Sequence, residues 1–501
     1  MRLIIGIFFK SLFLEKGAKS DKTILEKGAK YSESSLEKGA KYDKIILVII
    51  MLYRKKENEI VEWIKNGKNA MLITGARQVG KSYLIRETLK KMKVDYVEFN
   101  FIKQSYLIEM FDSAIKDDAD KFLLELRVAA NRVLKDDTII FFDEVQEVKE
   151  IVTIIKFLVE KGKYKYILSG SLLGIELTNL KSAPVGYLET IDMYPMDLEE
   201  FYIANGLGKD VIEKIHQCFI EKTEVSEFVH NILIEMFYRY LIVGGMPEAV
   251  QCYIDTQDLN KVSNIHNKII RDYKKDFTKY ETIDKKLKLI NTYNLIPSEL
   301  NQKNKRYTFN KLDNEFKFNR YENTFNWLID AGVAIPTFNV TEFQIPLEAS
   351  KKSSLFKFFL SDCGLLTTSY GSATILKLLD KGKDINCGSM FENFVAQELL
   401  AHGFKLYYFN NKKHGEVDFL VEYKGYLLPI EVKSGKDYQI HSALSYFMTC
   451  ESFENAIVFS NHNVSKKNNI TYYPIYMIMF INRDEKICKV NKIDLSILSK
   501  I

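Results

Sequence analysis

The sequence predicts an α/β protein: a parallel sheet built around a phosphate-binding loop, a largely helical middle, and a second, smaller α/β unit. Three observations lead there. Gly75-Ala76-Arg77-Gln78-Val79-Gly80-Lys81-Ser82 fits the pattern G-x-x-x-x-G-K-[ST] in full. Apolar runs of strand length alternate with helical stretches on both sides of it. Towards the C-terminal end, Asp418, Glu431 and Lys433 fall on two consecutive predicted strands, after a predicted helix that carries Glu392.

The loop comes first. Met71-Leu72-Ile73-Thr74 reads as a buried strand and Tyr83 to Met92 as a helix of good helix formers. Strand, glycine loop and helix form the context that separates a P-loop from a chance glycine-rich turn. Gly75 and Gly80 let backbone N–H groups wrap phosphate, and the helix dipole faces that charge. Lys81 is expected to reach the β- and γ-phosphates of ATP, and Ser82 to hold Mg²⁺.

The strand pattern then continues. Val94 to Phe101 reads as a strand and Phe122 to Leu134 as a helix. Thr138-Ile139-Ile140-Phe141-Phe142-Asp143-Glu144 is an apolar strand ending in two acids, the Walker B pattern. Asp143 is expected in the Mg²⁺ shell, and Glu144 as the base for the attacking water. A helix over Val152 to Lys161 and a strand over Tyr164 to Leu168 lead to Ser169-Gly170-Ser171. Ser171 is the candidate contact to the γ-phosphate or the water; a simple turn is the competing reading.

Composition sets the outer limits. A chain of 501 residues is too long for one ordinary core, so two to four domains are expected. Hydrophobic content of 47% and charged content of 27% are ordinary for a soluble protein. A net charge of +5 permits nucleic-acid binding without arguing for it. The six cysteines form no C-x-x-C pair, so neither zinc nor a disulfide framework is indicated, and a cytoplasmic location is the simplest. Within residues 1–50, Leu-Glu-Lys-Gly-Ala-Lys recurs at 14–19, 25–30 and 36–41, in units too short and polar to bury a core. The apolar stretches 3–9 and 45–52 fall short of a bilayer span, so no membrane association is expected. Residues 1–50 therefore read as a non-native leader ahead of a true start at Met51; a disordered tail or weak anchor is the alternative.

At this point the chain resembles the prokaryotic AAA-type ATPases that carry a C-terminal domain of unknown function. The resemblance rests on Gly75 to Ser82, Phe141 to Gln146, Leu168 to Ser171, Pro184-Val185-Gly186-Tyr187, Met193-Tyr194-Pro195-Met196 and Val243-Gly244-Gly245-Met246-Pro247-Glu248. It runs from about Met51 to about Phe447. It implies an AAA-type core over 51–209, a helical lid over 210–295 and a winged-helix-like module over 296–350. Many relatives have Gly-Arg where this chain has Gly186-Tyr187, so neither an arginine finger nor an oligomer is assigned.

The residues of the middle agree with a helical reading from Asp210 to Tyr280, where Tyr273 to Tyr280 looks like a solvated face rich in Lys and Asp. Ile296-Pro297-Ser298-Glu299-Leu300 reads as the start of a new unit, with helices over Asn310 to Phe316 and Tyr321 to Ala331. Lys303, Lys305 and Arg306 suit phosphate contact; a small structural module is the alternative to base readout.

The last unit, 351–501, has the layout of the PD-(D/E)xK nuclease fold. Phe391 to Leu400 reads as an amphipathic helix buried through Phe391, Phe394, Val395 and Leu399. Strands follow at Leu406 to Phe409, Glu416 to Val421 and Leu427 to Val432, the last two joined by a turn at Tyr423-Lys424-Gly425-Tyr426. Glu431 and Lys433, two apart on a strand, share a face that Asp418 can meet. Asp418 and Glu431 are expected to hold Mg²⁺ or Mn²⁺, with Glu392 completing the shell and Lys433 acting on water. Glu398 is the rival to Glu392, which the resemblance favours. A plain Glu–Lys surface pair, or a retained fold without activity, competes with this reading. His414 and His441 are candidate phosphate contacts or structural residues.

The combined expectation is an ATP-hydrolysing protein coupled to a metal-dependent nuclease-like domain that acts on or binds DNA or RNA. Its alternative is a nucleotide-dependent switch whose C-terminal domain binds nucleic acid or protein without cleaving. A chain begun at Met51 is expected to fold and to turn over ATP as the full chain does, which circular dichroism and a phosphate-release assay measure.

Overall fold

The computed structural model describes residues 52–109, 111, 119–148, 150–171, 186–279, 283–302, 305–307, 321–411, 413–449 and 453–483. The leader and its repeats, Pro184-Val185, the helix expected at 310–316, Lys303, Cys450 and Cys488 lie outside them.

The first half alternates as expected. Helix α1 (Glu57–Asn66) precedes β1 (Ala70–Thr74), α2 (Lys81–Met92), β2 (Tyr96–Asn100), α3 (Ala119–Ala130), β3 (Ile139–Asp143), α4 (Glu150–Lys161), β4 (Lys165–Ser169) and β5 (Leu188–Asp192). The strands form one parallel sheet in the order β2-β3-β4-β1-β5. Every residue of β1 and β3 is buried, as both faces of a parallel sheet require. Along β1 the side chains alternate between two cores: Met71 and Ile73 join α1 and α2, while Ala70 and Leu72 join α3 and α4.

A helical layer follows: α5 (Leu198–Ala204), α6 (Lys209–Glu221), α7 (Glu227–Val243), α8 (Pro247–Thr256), α9 (Leu259–Lys279) and α10 (Ile283–Leu300). Asp197 starts α5 with a capping box, its carboxylate accepting from Glu200 N at 2.9 Å. The break expected at Ile296 does not occur. Pro297 sits inside α10, where its missing N–H costs one backbone bond while Ile296 and Leu300 are fully buried beside it. Among the described residues, no helix is long and apolar enough to cross a membrane.

The remainder is α11 (Glu322–Asp330), β6 (Ala334–Val340), β7 (Lys351–Leu360), α12 (Cys363–Tyr370), α13 (Ser372–Leu379), α14 (Gly388–Ala401), β8 (Tyr407–Asn411), β9 (Gly415–Tyr423), β10 (Tyr426–Val432), α15 (Ser442–Phe447), β11 (Ala456–Ser460), β12 (Ser465–Lys467) and β13 (Ile470–Pro474). These strands form a mixed sheet in the order β12-β13-β11-β10-β9-β8-β6-β7. The boundary expected at 350/351 therefore separates two paired strands. β6 and β7 are antiparallel neighbours, and β6 also pairs with β8, so the end of the expected winged-helix-like module belongs to the C-terminal sheet.

Helix α14 also departs from expectation. Its residues from Ser389 to Leu399 are all buried, not one stripe of them. Its apolar side chains join the core of Met71 and Ile73, and residues 51–501 form one compact unit.

The segment Val243 to Glu248 ties this unit together. Gly245 O accepts from Met196 N at 2.7 Å, and Gly245 N donates to Asp362 Oδ2 at 2.6 Å. Asp362 in turn caps α12 through Leu365 N. A Cβ on residue 245 would lie 2.0 Å from Met196 O, a backbone atom that cannot swing aside. Gly245→Ala is expected to destabilise the protein by roughly 2–3 kcal/mol, the cost of an overpacked core, read as a lower urea midpoint.

Candidate functional sites

The chain leaves β1 at Gly75 with φ +130°, where a Cβ would stand 2.1 Å from Met193 O. Glycine alone fits, and the loop can then curl tightly back to the N-terminus of α2. Lys81, buried at the start of α2, donates to Gly75 O at 2.9 Å and Ala76 O at 2.8 Å. Burial brings its ammonium down to about 8, against the pull of Glu144 and Asp143. The group is thus held at the mouth of the loop, with the chemistry a phosphate would satisfy.

Asp143, at the end of β3, is almost wholly enclosed. Its Oδ1 accepts from Ser82 Oγ at 2.6 Å and from Ser169 Oγ at 2.5 Å. Its Oδ2 accepts from Arg86 Nη2 at 2.8 Å and Asn100 Nδ2 at 2.7 Å. Arg86 is steadied by a two-pronged bond to Glu98, at 2.8 and 2.7 Å. Ser82 and Asp143 present adjoining hard oxygen donors, which fits Mg²⁺ carried in with ATP. Glu144 takes the left-handed conformation, φ +61°, and its carboxylate accepts from Gln146 Nε2 at 2.7 Å. A non-glycine residue held there is uncommon and marks a constrained turn.

Ser171 is the residue the sequence offers at the end of β4. The structure brings Ser169 to Asp143 and leaves Ser171 buried beyond the end of β4. Arg86, Glu98 and Asn100 belong to no motif legible in the sequence. Arg86 lies four residues after Ser82 on one helix face. Asn100 stands beside Asp143 in the β2–β3 register and Ser169 beside it in the β3–β4 register. Those neighbours become visible once strand order is known.

The loop is gripped from outside the sheet. Arg77 pairs with Asp276, Gln78 Nε2 donates to Asp272 Oδ2 at 3.2 Å, and Tyr273 Oη donates to Arg77 O at 3.1 Å. These partners come from α9, in the stretch expected to be a solvated face. Tyr273, Asp276 and Phe277 are instead buried. Arg54 holds the other side, donating to Val79 O at 3.0 Å and to Tyr194 O at 2.7 Å. The root of the loop also borders a cavity of about 540 Å³ between Thr74 and Asp192 on one side and Gln397, Lys405 and Tyr407 on the other.

The second constellation lies in the mixed sheet. The register that pairs Ile430 with Phe419 sets Glu431 opposite Asp418. Asp418 Oδ2 accepts from Val432 N at 2.9 Å, and Glu431 Oε1 meets Lys433 Nζ at 2.8 Å. Glu392 reaches the same place from α14, but its two oxygens are taken: Oε1 by Lys305 and Oε2 by Lys357 at 3.3 Å. Lys357, from β7, is completely buried. Its Nζ also lies 2.5 Å from Glu416 Oε1 and 3.7 Å from Asp418 Oδ1, with the Tyr408 ring 5.2 Å away. Lys357 and Glu416 are the members that sequence reasoning missed. Glu398, the rival to Glu392, points elsewhere and accepts from Leu198 N at 3.0 Å.

Burial works against the Lys357 ammonium, but Glu392, Glu416 and Asp418 outweigh it and hold its pKa well above the usual range. Burial raises the Glu392 carboxyl, yet Lys305 and Lys357 prevail and hold it below its ordinary value. Burial, then Glu392 and Glu431, push Asp418 well up. Burial likewise lifts Glu431, against Lys433. Asp418 and Glu431 are thus the under-compensated acids of the cluster, and Glu431 Oε2 is buried with no hydrogen-bond partner. That orphaned oxygen beside Asp418 fits a hard divalent cation. Among the described residues, no three His, Cys, Asp or Glu side chains are grouped to hold one metal ion. Of the two histidines, His414 stacks on Tyr446 at 3.7 Å between ring centres, and His441 Nε2 meets Tyr472 Oη at 2.8 Å.

The first site lies within a stretch that matches a known family. Residues 67–202 match the family described as an AAA domain. Residues 234–374 and 387–478 match two families described as domains of unknown function, DUF8612 and DUF4143. No curated protein matches the chain. Among solved structures, the Walker-type ATPase PABY2304 of Pyrococcus abyssi is 13% identical, with 64% of this chain and 96% of that one covered and a TM-score of 0.40. AMPPCP-bound DnaA from Aquifex aeolicus is 14% identical, over 51% and 76%, with a TM-score of 0.27. PCH-2 of C. elegans is 15% identical, over 32% and 44%, with a TM-score of 0.20. The parallel sheet, its loop and the AAA-domain match together support an ATP-binding, AAA-type P-loop domain over residues 67–202.

Removing the Lys357 ammonium would leave Glu392, Glu416 and Asp418 crowded in a buried space. Lys357→Met is expected to cost about 3–5 kcal/mol, as for one partner of a buried ion pair, while Lys433→Met, whose side chain is 28% exposed, costs far less. Denaturant unfolding of the two variants compares them.

Proposed function

We propose that the protein hydrolyses ATP, and that the nucleotide state of its AAA-type core governs a nuclease-like C-terminal centre that binds or cleaves nucleic acid. In the core, the N–H groups between Gly75 and Gly80 would cradle the phosphates, Lys81 would balance the charge of the β- and γ-oxygens, and Ser82 with Asp143 would hold Mg²⁺. When bound, the ion would supply charge neutralisation. Glu144 takes a proton from the water that attacks the γ-phosphorus as the bond to the departing ADP oxygen breaks, while Ser169 holds the end of β4 on Asp143 and Ser171 is the candidate contact to the γ-phosphate or the water. The α9 residues on Arg77 and Gln78 give the loop a partner that ATP would have to rearrange or reinforce.

The C-terminal part of the reading rests on one observation. Asp418 and Glu431 stand opposite one another on paired strands with Lys433 beside them, and Glu431 Oε2 has no partner. Asp418 and Glu431 would hold Mg²⁺ or Mn²⁺, which supplies neutralisation of a phosphodiester; Lys433 orients the attacking water. Glu392, with both oxygens on lysines, acts as a brace rather than a ligand. The same lysines favour the alternative, a switch whose centre binds nucleic acid or protein without cutting it.

Lys81→Ala is expected to abolish tight ATP binding, while Glu144→Gln keeps binding and slows turnover by about 10²–10⁴-fold, the usual contribution of a general base. DNA and RNA incubated with Mg²⁺ or Mn²⁺, with and without ATP, then separate the two readings. Cleavage lost in Asp418→Asn supports the nuclease; binding without cleavage supports the switch.

A further inference from the structure

We infer that the C-terminal centre takes a single divalent cation, between Asp418 and Glu431, because the ammonium of Lys357 already stands where a second cation would. The inference rests on the nuclease-like reading of this site. Two-ion phosphodiester centres place their metals a few ångströms apart and need carboxylates shared between them. Here the carboxylates that would be shared are committed. Lys357 Nζ lies 2.5 Å from Glu416, 3.3 Å from Glu392 and 3.7 Å from Asp418, and Lys305 takes the remaining oxygen of Glu392.

Lys357 cannot leave this place for solvent. Its side chain is wholly buried on β7, with β6 paired alongside and the Tyr408 ring 5.2 Å from its ammonium. The charges point the same way. Glu392, Glu416, Asp418 and Glu431 face Lys305, Lys357 and Lys433, with Arg306 at Tyr408 beside them, so the cluster is already close to charge balance. One divalent ion more than offsets the remainder, and a second would add a large unbalanced positive charge beside a fixed ammonium. The opening that remains is Glu431 Oε2, buried and unpartnered, with Asp418 Oδ1 held only at the 3.7 Å contact to Lys357. The protein would thus supply two carboxylates, and water or a phosphate oxygen the rest of the shell, as Mg²⁺ commonly accepts.

The count is measured by titrating the full chain with Mn²⁺ in the absence of nucleotide, by calorimetry and electron paramagnetic resonance, alongside Asp418→Asn. Ions bound at Ser82 and Asp143 persist in the variant and are subtracted. The expected result is one Asp418-dependent ion with the spectrum of an isolated Mn²⁺. Two Asp418-dependent ions, or the spectrum of a coupled Mn²⁺ pair, would overturn the single-ion inference while leaving the nuclease-like reading standing. If no ion depends on Asp418, the metal reading of the site fails, and the inference with it.

Discussion

A helix buried along its length needs partners for the polar groups it carries, and α14 draws them from the whole unit, Glu398 Oε2 alone among those named below being left without a hydrogen bond. Asn393 exchanges two hydrogen bonds with the backbone of Leu360, at 2.8 and 3.0 Å. Gln397 accepts from Cys363 N at 2.9 Å and donates to Tyr240 Oη at 2.8 Å. Glu398 accepts from Leu198 N, and Glu392 takes two ammonium groups. One helix thereby fixes β7, α12, α7 and the start of α5. Any of these groups left alone would cost roughly 1–3 kcal/mol of desolvation. This explains why the chain after Met51 forms one body: the AAA-type domain, the helical layer and the mixed sheet satisfy the same helix.

The bond from Leu198 to Glu398 has a second meaning. Leu198 follows Asp197, whose carboxylate meets Lys55 at 2.7 Å, and Glu200 pairs with Arg54 at 3.1 Å. Arg54 in turn holds Val79 O in the nucleotide loop. Hydrogen bonds and ion pairs therefore run without a gap from the phosphate loop to α14, whose other end carries Glu392. On the opposite side, α9 grips Arg77 and Gln78. The loop is held between two supports that both belong to the rest of the protein, so a shift in it has packed matter to push against.

The parts legible in the sequence were those coded by short spacing. The glycine loop, the strand ending in Asp143 and Glu144, and the Glu431-Val432-Lys433 step each sit within a few residues, where chain geometry alone brings groups together. What stayed hidden depends on register and distance along the chain. Lys357 lies in Lys-Lys-Ser-Ser-Leu-Phe-Lys-Phe-Phe-Leu, which reads as an ordinary strand until its neighbours are known. Asn100 and Ser169 are single polar residues whose value comes from flanking β3 in the sheet order. In α9, alternating Lys and Asp look like a wet surface, and only its packing turns Asp272 and Asp276 inward. Pro297 and α14 misled in the same way: tertiary burial overrode local preference.

The pairing of β6 and β7 with the rest of the mixed sheet bears on how such a protein can be inherited. The family match for the C-terminal domain begins at residue 387, downstream of both strands. A gene fragment recombined at that point would carry Asp418, Glu431 and Lys433 but leave Lys357 behind, along with the sheet edge next to β8. The acids would arrive in a new host without their buried counter-charge. A unit that keeps the acids and their counter-charge together therefore spans both matched stretches, residues 234–374 and 387–478.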